Sequence, residues 1–170
     1  GFLFGNHIRA IVLGVTNAFF VRVPFSTPLR RYYQIVTRFS TILSLVADVC
    51  MISVGAKLKR KENLSGRLAD LVSTLYCVAS VLKYYEQGNE NQGQEAELPL
   101  VRWLCLDLLK HFQRQLHELL LNLPNRFVAR YLRMVCLPVG RFLRTPSDRL
   151  AEEATLESMT QSPLRDRYKA

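Results

Sequence analysis

From Leu29 onward, apolar residues recur at alternating steps of three and four: Leu29, Tyr32, Val36, Phe39, Leu43, Val46 and Cys50. That spacing marks one face of an α-helix. Ile35, Ile42, Leu45, Val49 and Ile52 add a second stripe beside the first. A surface helix needs one stripe, so the pattern predicts a helix contacted from two sides, in the middle of a bundle. Thr27 is placed as its N-cap and Pro28 as its first residue, where a missing N–H costs nothing. Lys57, Lys59, Arg60 and Lys61 end the stretch with cations that suit the negative pole of a helix dipole.

The same period returns twice. Leu64, Leu68, Leu71, Leu75, Val78, Leu82 and Tyr85 form the seam of a second helix, with Ser65 as predicted N-cap and Leu64 as the staple residue before it. The short polar turn ahead of it makes the two helices antiparallel. Gln87 to Glu97, with Gly88, Gly93 and three glutamates, predicts a flexible acidic loop. Val101, Leu104, Cys105, Leu108, Phe112, Leu116 and Leu119 then define the buried face of a third long helix, with Pro99 in its first turn. Trp103 suits either a core contact or an interface ring. Asn125 caps a shorter helix carrying Phe127, Tyr131, Met134 and Val135, which Pro138 and Gly140 stop. Pro146-Ser147-Asp148 starts a last short one, with Glu152 and Glu153 near its N-terminus. The expected fold is all-α, an antiparallel helical bundle of three long helices plus shorter flanking helices. Its expected organisation is an apolar N-terminal helix over 1–26, the bundle over 27–160 with a polar loop at 87–97, and a tail over 161–170.

Phe4, Ile8, Ile11, Val12, Val15 and Phe19 give the N-terminal segment an apolar helical face. Phe19, Phe20, Arg22 and Phe25 gather at its end and are the candidate membrane-contact residues, since aromatic and basic edges suit a lipid interface. Packing on protein is the competing reading of the same face. The longest charge-free apolar run, Ala10 to Val21, is shorter than the roughly 20 residues a membrane span needs. The chain opens at Gly1 without Met and runs straight into apolar sequence, which suggests a piece of a longer protein.

Composition adds a net charge of +9 on a chain that is 49% hydrophobic. That balance belongs to a folded core with a positive surface, and it allows nucleic acid, an anionic membrane face or an acidic protein as partners. Nucleic acid is the least favoured, because no groove-reading motif accompanies the charge. Cys50, Cys77, Cys105 and Cys136 form no C-x-x-C pair and fall one per helix, as reduced core residues would.

No catalytic, cofactor-binding or metal-binding residue is assigned. Neither G-x-G-x-x-G nor G-x-x-x-x-G-K-[ST] occurs. His111 and His117 do not share a helix face, and His7 stands alone. Glu153 and Glu157 share a face near an end, as solvated pairs do. Asp48, inside the most apolar helix, is the one charge that calls for a partner; Arg38, Arg67 or Lys57 could supply it, and a buried ion pair with Arg38 is the candidate carried forward.

Several blocks, in order, carry a resemblance: Arg30-Arg31-Tyr32-Tyr33-Gln34, Ala47-Asp48-Val49, Leu58-Lys59-Arg60-Lys61-Glu62, Ser65-Gly66-Arg67-Leu68-Ala69-Asp70, Leu75-Tyr76, Leu98-Pro99-Leu100-Val101-Arg102-Trp103, Leu123-Pro124-Asn125-Arg126-Phe127 and Pro146-Ser147-Asp148-Arg149-Leu150. Over 30–150 the chain resembles the C-terminal region of bacterial FadE-type (long-chain) acyl-coenzyme A dehydrogenases. The resemblance implies a flavoenzyme of fatty acid β-oxidation that takes acyl-CoA to trans-2-enoyl-CoA. A base removes the α-proton and the β-hydride passes to FAD. It implies FAD and acyl-CoA in the full-length protein and a bacterial cytoplasmic location; a homo-oligomer and a peripheral place on the inner membrane stay open as partner and location. The FAD-binding and catalytic segments of that family lie upstream of the matched region, so this chain is expected to serve assembly or membrane docking and to be silent in catalysis alone. The alternative is a stand-alone basic helical module that binds nucleic acid or an acidic protein.

Overall fold

A computed structural model describes residues 5, 8, 12, 28–55, 61–87, 94–137, 143 and 145–159. Among them are five helices: α1 (Arg30–Val54), α2 (Glu62–Gln87), α3 (Gln94–Leu121), α4 (Arg126–Cys136) and α5 (Asp148–Met159). Among the described residues there is no strand, and the architecture is the all-α helical bundle expected.

The periodic stripes locate the core. On α2, Leu64, Leu71, Val78, Leu82 and Tyr85 of the predicted seam are buried, and Leu68 and Leu75 pack against them. On α3, Val101, Cys105, Phe112, Leu116 and Leu119 are buried as predicted, joined by Leu109 and Leu120. Both stripes of α1 reach the core, since Ile35, Phe39, Ile42, Leu45, Val46 and Cys50 are buried. Phe39 stacks on Phe112 of α3 with ring centroids 4.5 Å apart.

The hub, however, is α3. It packs against α2 most extensively and also against α4 and α5, whereas α1 lies on α2 and meets α3 through its side chains. The stripes of α1 promise a central helix because they run on to Ile52, but Met51 and Ile52 are exposed and the helix leaves the core there. Gly55 then ends it at φ +54°, a left-handed conformation that glycine takes without steric cost. α1 is also long and apolar enough to cross a bilayer, by length and composition alone. The charge-free runs miss this because Asp48 divides the stretch. Its fully buried Phe39, Ile42, Leu45 and Val46 are those of a core helix.

Boundaries moved for local reasons. α1 starts at Arg30, with Leu29 before it accepting from the Tyr32 and Tyr33 N–H groups, and the predicted cap Thr27 lies outside the described residues. α2 starts at Glu62, whose carboxylate suits a helix N-terminus. Ser65 is therefore inside the helix and donates to the Glu62 carbonyl at 3.1 Å rather than capping. Gln94 to Glu97 is helix, not loop, because glutamine, glutamate and alanine are good helix formers. Glu97 is consequently buried and Pro99 sits beyond the first turn. Ile8 and Val12, members of the predicted N-terminal face, are helical and each 51% exposed.

Candidate functional site

Of the sequence-derived candidates, Phe19, Phe20, Arg22 and Phe25 lie outside the described residues. The proposed pairing of Asp48 with Arg38 fails on geometry. Along the continuous α1 they stand about 15 Å apart at 1.5 Å rise per residue, beyond the reach of the two side chains. Asp48 is only half-buried, whereas Arg38 is 1% exposed. Arg38 Nη2 donates to the Cys136 carbonyl at 3.4 Å. That carbonyl closes α4, where helix oxygens have no partner within the helix and the dipole favours a cation. Burial lowers the Arg38 pKa to about 10, with Arg31 adding to the effect, so the guanidinium stays charged near neutrality. Arg38 is a clasp between α1 and the end of α4.

The other end of α4 is fixed by Asn125, as the sequence predicts. Its Oδ1 accepts from the Phe127 N–H at 3.0 Å and from the Val128 N–H at 3.4 Å. Held at both ends, α4 shows three distinct faces. Leu132, Val135 and Cys136 enter the core. Phe127, Tyr131 and Met134 recur at helical spacing on the outside, 85%, 43% and 74% exposed. Arg126, Arg130 and Arg133 follow the same spacing one residue earlier, roughly 100° round the helix. All three are exposed and, with His117, Leu120 and Leu121 of α3, line a cleft of about 610 Å³.

Charge is one-sided here. Between Glu118 and Asp148 the chain has no acidic residue, but it has Arg126, Arg130, Arg133, Arg141 and Arg144. Sequence reading found this helix and its cap and missed its surface. The signal was the arginine period running one residue ahead of the apolar one, which leaves too little circumference for all the apolar side chains to be buried.

The remaining chemistry is quiet. Burial pushes the Cys50 thiol up to about 11 and those of Cys105 and Cys136 to about 12, so none is a ready nucleophile. Cys77 is exposed, and all four are free. Burial, and then the Glu86 carboxylate, raises Tyr33 well above the ordinary tyrosine range. His111 is exposed and bonded to Gln115 at 2.8 Å. Among the described residues no three of His, Cys, Asp and Glu converge as a metal site would require. What the arrangement offers is a surface: a rigid helix presenting aromatic and sulfur side chains beside a row of arginines.

No solved structure matches the chain. One family, described as "Acyl-CoA dehydrogenase, C-terminal, bacterial type", matches residues 1–170. The match spans the whole sequence and agrees with the ordered blocks from Arg30 to Leu150, and the chain belongs to the bacterial-type acyl-CoA dehydrogenase C-terminal domain family.

Proposed function

We propose that this chain is the accessory helical bundle of an FAD-dependent acyl-CoA dehydrogenase of fatty acid β-oxidation, serving assembly or docking while the chemistry occurs elsewhere in the protein. The observation that carries the reading is the outer face of α4, where Phe127 is 85% exposed and Met134 74% exposed on a helix anchored at both ends. A contiguous apolar stripe on a rigid support is what a docking surface looks like, whereas apolar residues scattered singly need no partner. The cleft beside it does not fit a flavin. Its lining is arginine and aliphatic side chains, without a broad aromatic wall for an isoalloxazine ring, and no redox step is assigned to it. In this reading the full-length protein is a homo-oligomer, handles acyl-CoA through its other segments, and works in the bacterial cytoplasm, peripheral on the inner membrane.

The test compares the full-length protein with a form lacking this chain. Flavin absorbance per polypeptide and sedimentation mass are measured for both, together with partition between membrane and soluble fractions. The reading expects flavin to be retained while the number of protomers per particle, from the sedimentation mass, or the membrane partition changes. Loss of flavin with unchanged protomer number and partition would place the cofactor site in this chain and overturn it.

A further inference from the structure

The arginine row and the apolar stripe of α4 are set about a quarter-turn apart, and that angle has a physical meaning. A helix lying on a bilayer directs apolar side chains into the acyl boundary and holds its cations sideways, at the level of the lipid phosphates. We propose that α4 is a membrane-surface helix for anionic phospholipid. Phe127, Tyr131 and Met134 enter the interface, and Arg126, Arg130 and Arg133 take a headgroup phosphate in the cleft that they line with His117. The proposal rests on the docking reading above and deepens it by naming the surface and its partner.

Three observations favour lipid over other occupants. Five arginines and no carboxylate lie between Glu118 and Asp148, so the charge complements an anionic surface over the whole segment. A second copy of the same face would bring its own arginines against these, a like-charge contact that disfavours self-pairing. Nucleic acid would use the arginines but leave Phe127 and Met134, 85% and 74% exposed, without a role on a phosphate backbone. The anchoring also fits. Leu132, Val135 and Cys136 are buried, and Arg38 and Asn125 hold the two ends, so the outer face is presented already helical. Ordering a disordered segment at the surface would cost affinity, and here that cost is avoided.

The experiment is co-sedimentation of the full-length protein with phosphatidylcholine vesicles, with and without phosphatidylglycerol, at low and high salt. Two variants accompany it, F127S/M134S and R130Q/R133Q, each checked for an unchanged melting curve, with its sedimentation mass measured alongside. The expected result is binding to the phosphatidylglycerol vesicles that weakens with salt. Each arginine removed should cost about fivefold in partition. Removing Phe127 and Met134 should cost about tenfold or more. Equal binding by both variants and the parent, or equal binding to neutral and anionic vesicles, overturns the proposal. Vesicle binding unchanged in F127S/M134S, with an altered sedimentation mass, overturns it in favour of a protein interface and leaves the docking reading standing. Duplex DNA binding lost in R130Q/R133Q alone, without vesicle binding by the parent, overturns it in favour of nucleic acid.

Discussion

Phe112 on α3 and Phe127 on α4 are the same residue type on neighbouring helices, one with no exposed surface and the other 85% exposed. Phe112 stacks on Phe39 at the meeting of α1 and α3 and belongs to the core. Phe127 stands on the first turn of a helix whose buried share is Leu132, Val135 and Cys136. The difference teaches that an apolar residue at helical spacing reports helix, while burial depends on what covers the face. α3 is covered by α2, α4 and α5, whereas α4 packs on α3 alone as its main helical neighbour.

Phe112→Ala should lower the unfolding free energy by about 3–5 kcal/mol, measured by urea denaturation, because a large side chain leaves a close-packed site. A loss under about 1 kcal/mol would mean that Phe112 is not in the core. Arg38→Ala should follow, at about 2–4 kcal/mol. It opens a cavity and removes the charged donor from the Cys136 carbonyl. An amide-exchange measurement on this variant should show α4 loosening before α2. Uniform loosening would remove Arg38 from its place as the clasp.

Next comes an effect of pH on the core alone. The folded Cys105 thiol is raised by burial from 9.0 to about 12, so the unfolded chain loses its proton first as pH rises. Its contribution is fully present below about pH 9 and is lost as pH climbs toward 12. The slope is about 1.4 kcal/mol per pH unit for this group. Arg38 acts with the opposite sign only above its own folded value of about 10, so between pH 9 and 10 the buried thiols dominate. Cys105→Ala should flatten the fall in denaturation midpoint over that window, and an unchanged slope would place the thiol in contact with water.

Much of this fold is legible in the order of the amino acids. The seam Leu64 to Tyr85 and the face Val101 to Leu119 are in the core because leucines spaced at three and four leave a helix one way to hide them. The Asn125 cap was legible because a capping side chain acts within its own first turn. What was hidden was non-local. Arg38 looks like a surface interruption in α1, and only the folded chain brings the end of α4 to it. Glu97 looks like loop in a run of polar residues, yet good helix formers carry α3 back to Gln94. The outer face of α4 was hidden for the same reason: periodicity says which residues share a side and not whether another helix lies there.

The smallest stability effect is expected on the outer face of α4. Phe127→Ser with Met134→Ser replaces two large apolar side chains, a change that inside the core would cost several kcal/mol. If this face belongs to a partner and not to the fold, the denaturation curve of the full-length double variant should match the parent within about 0.5 kcal/mol. A loss approaching that of Phe112→Ala would contradict it, because the outer face of α4 would then be part of the protein's own core.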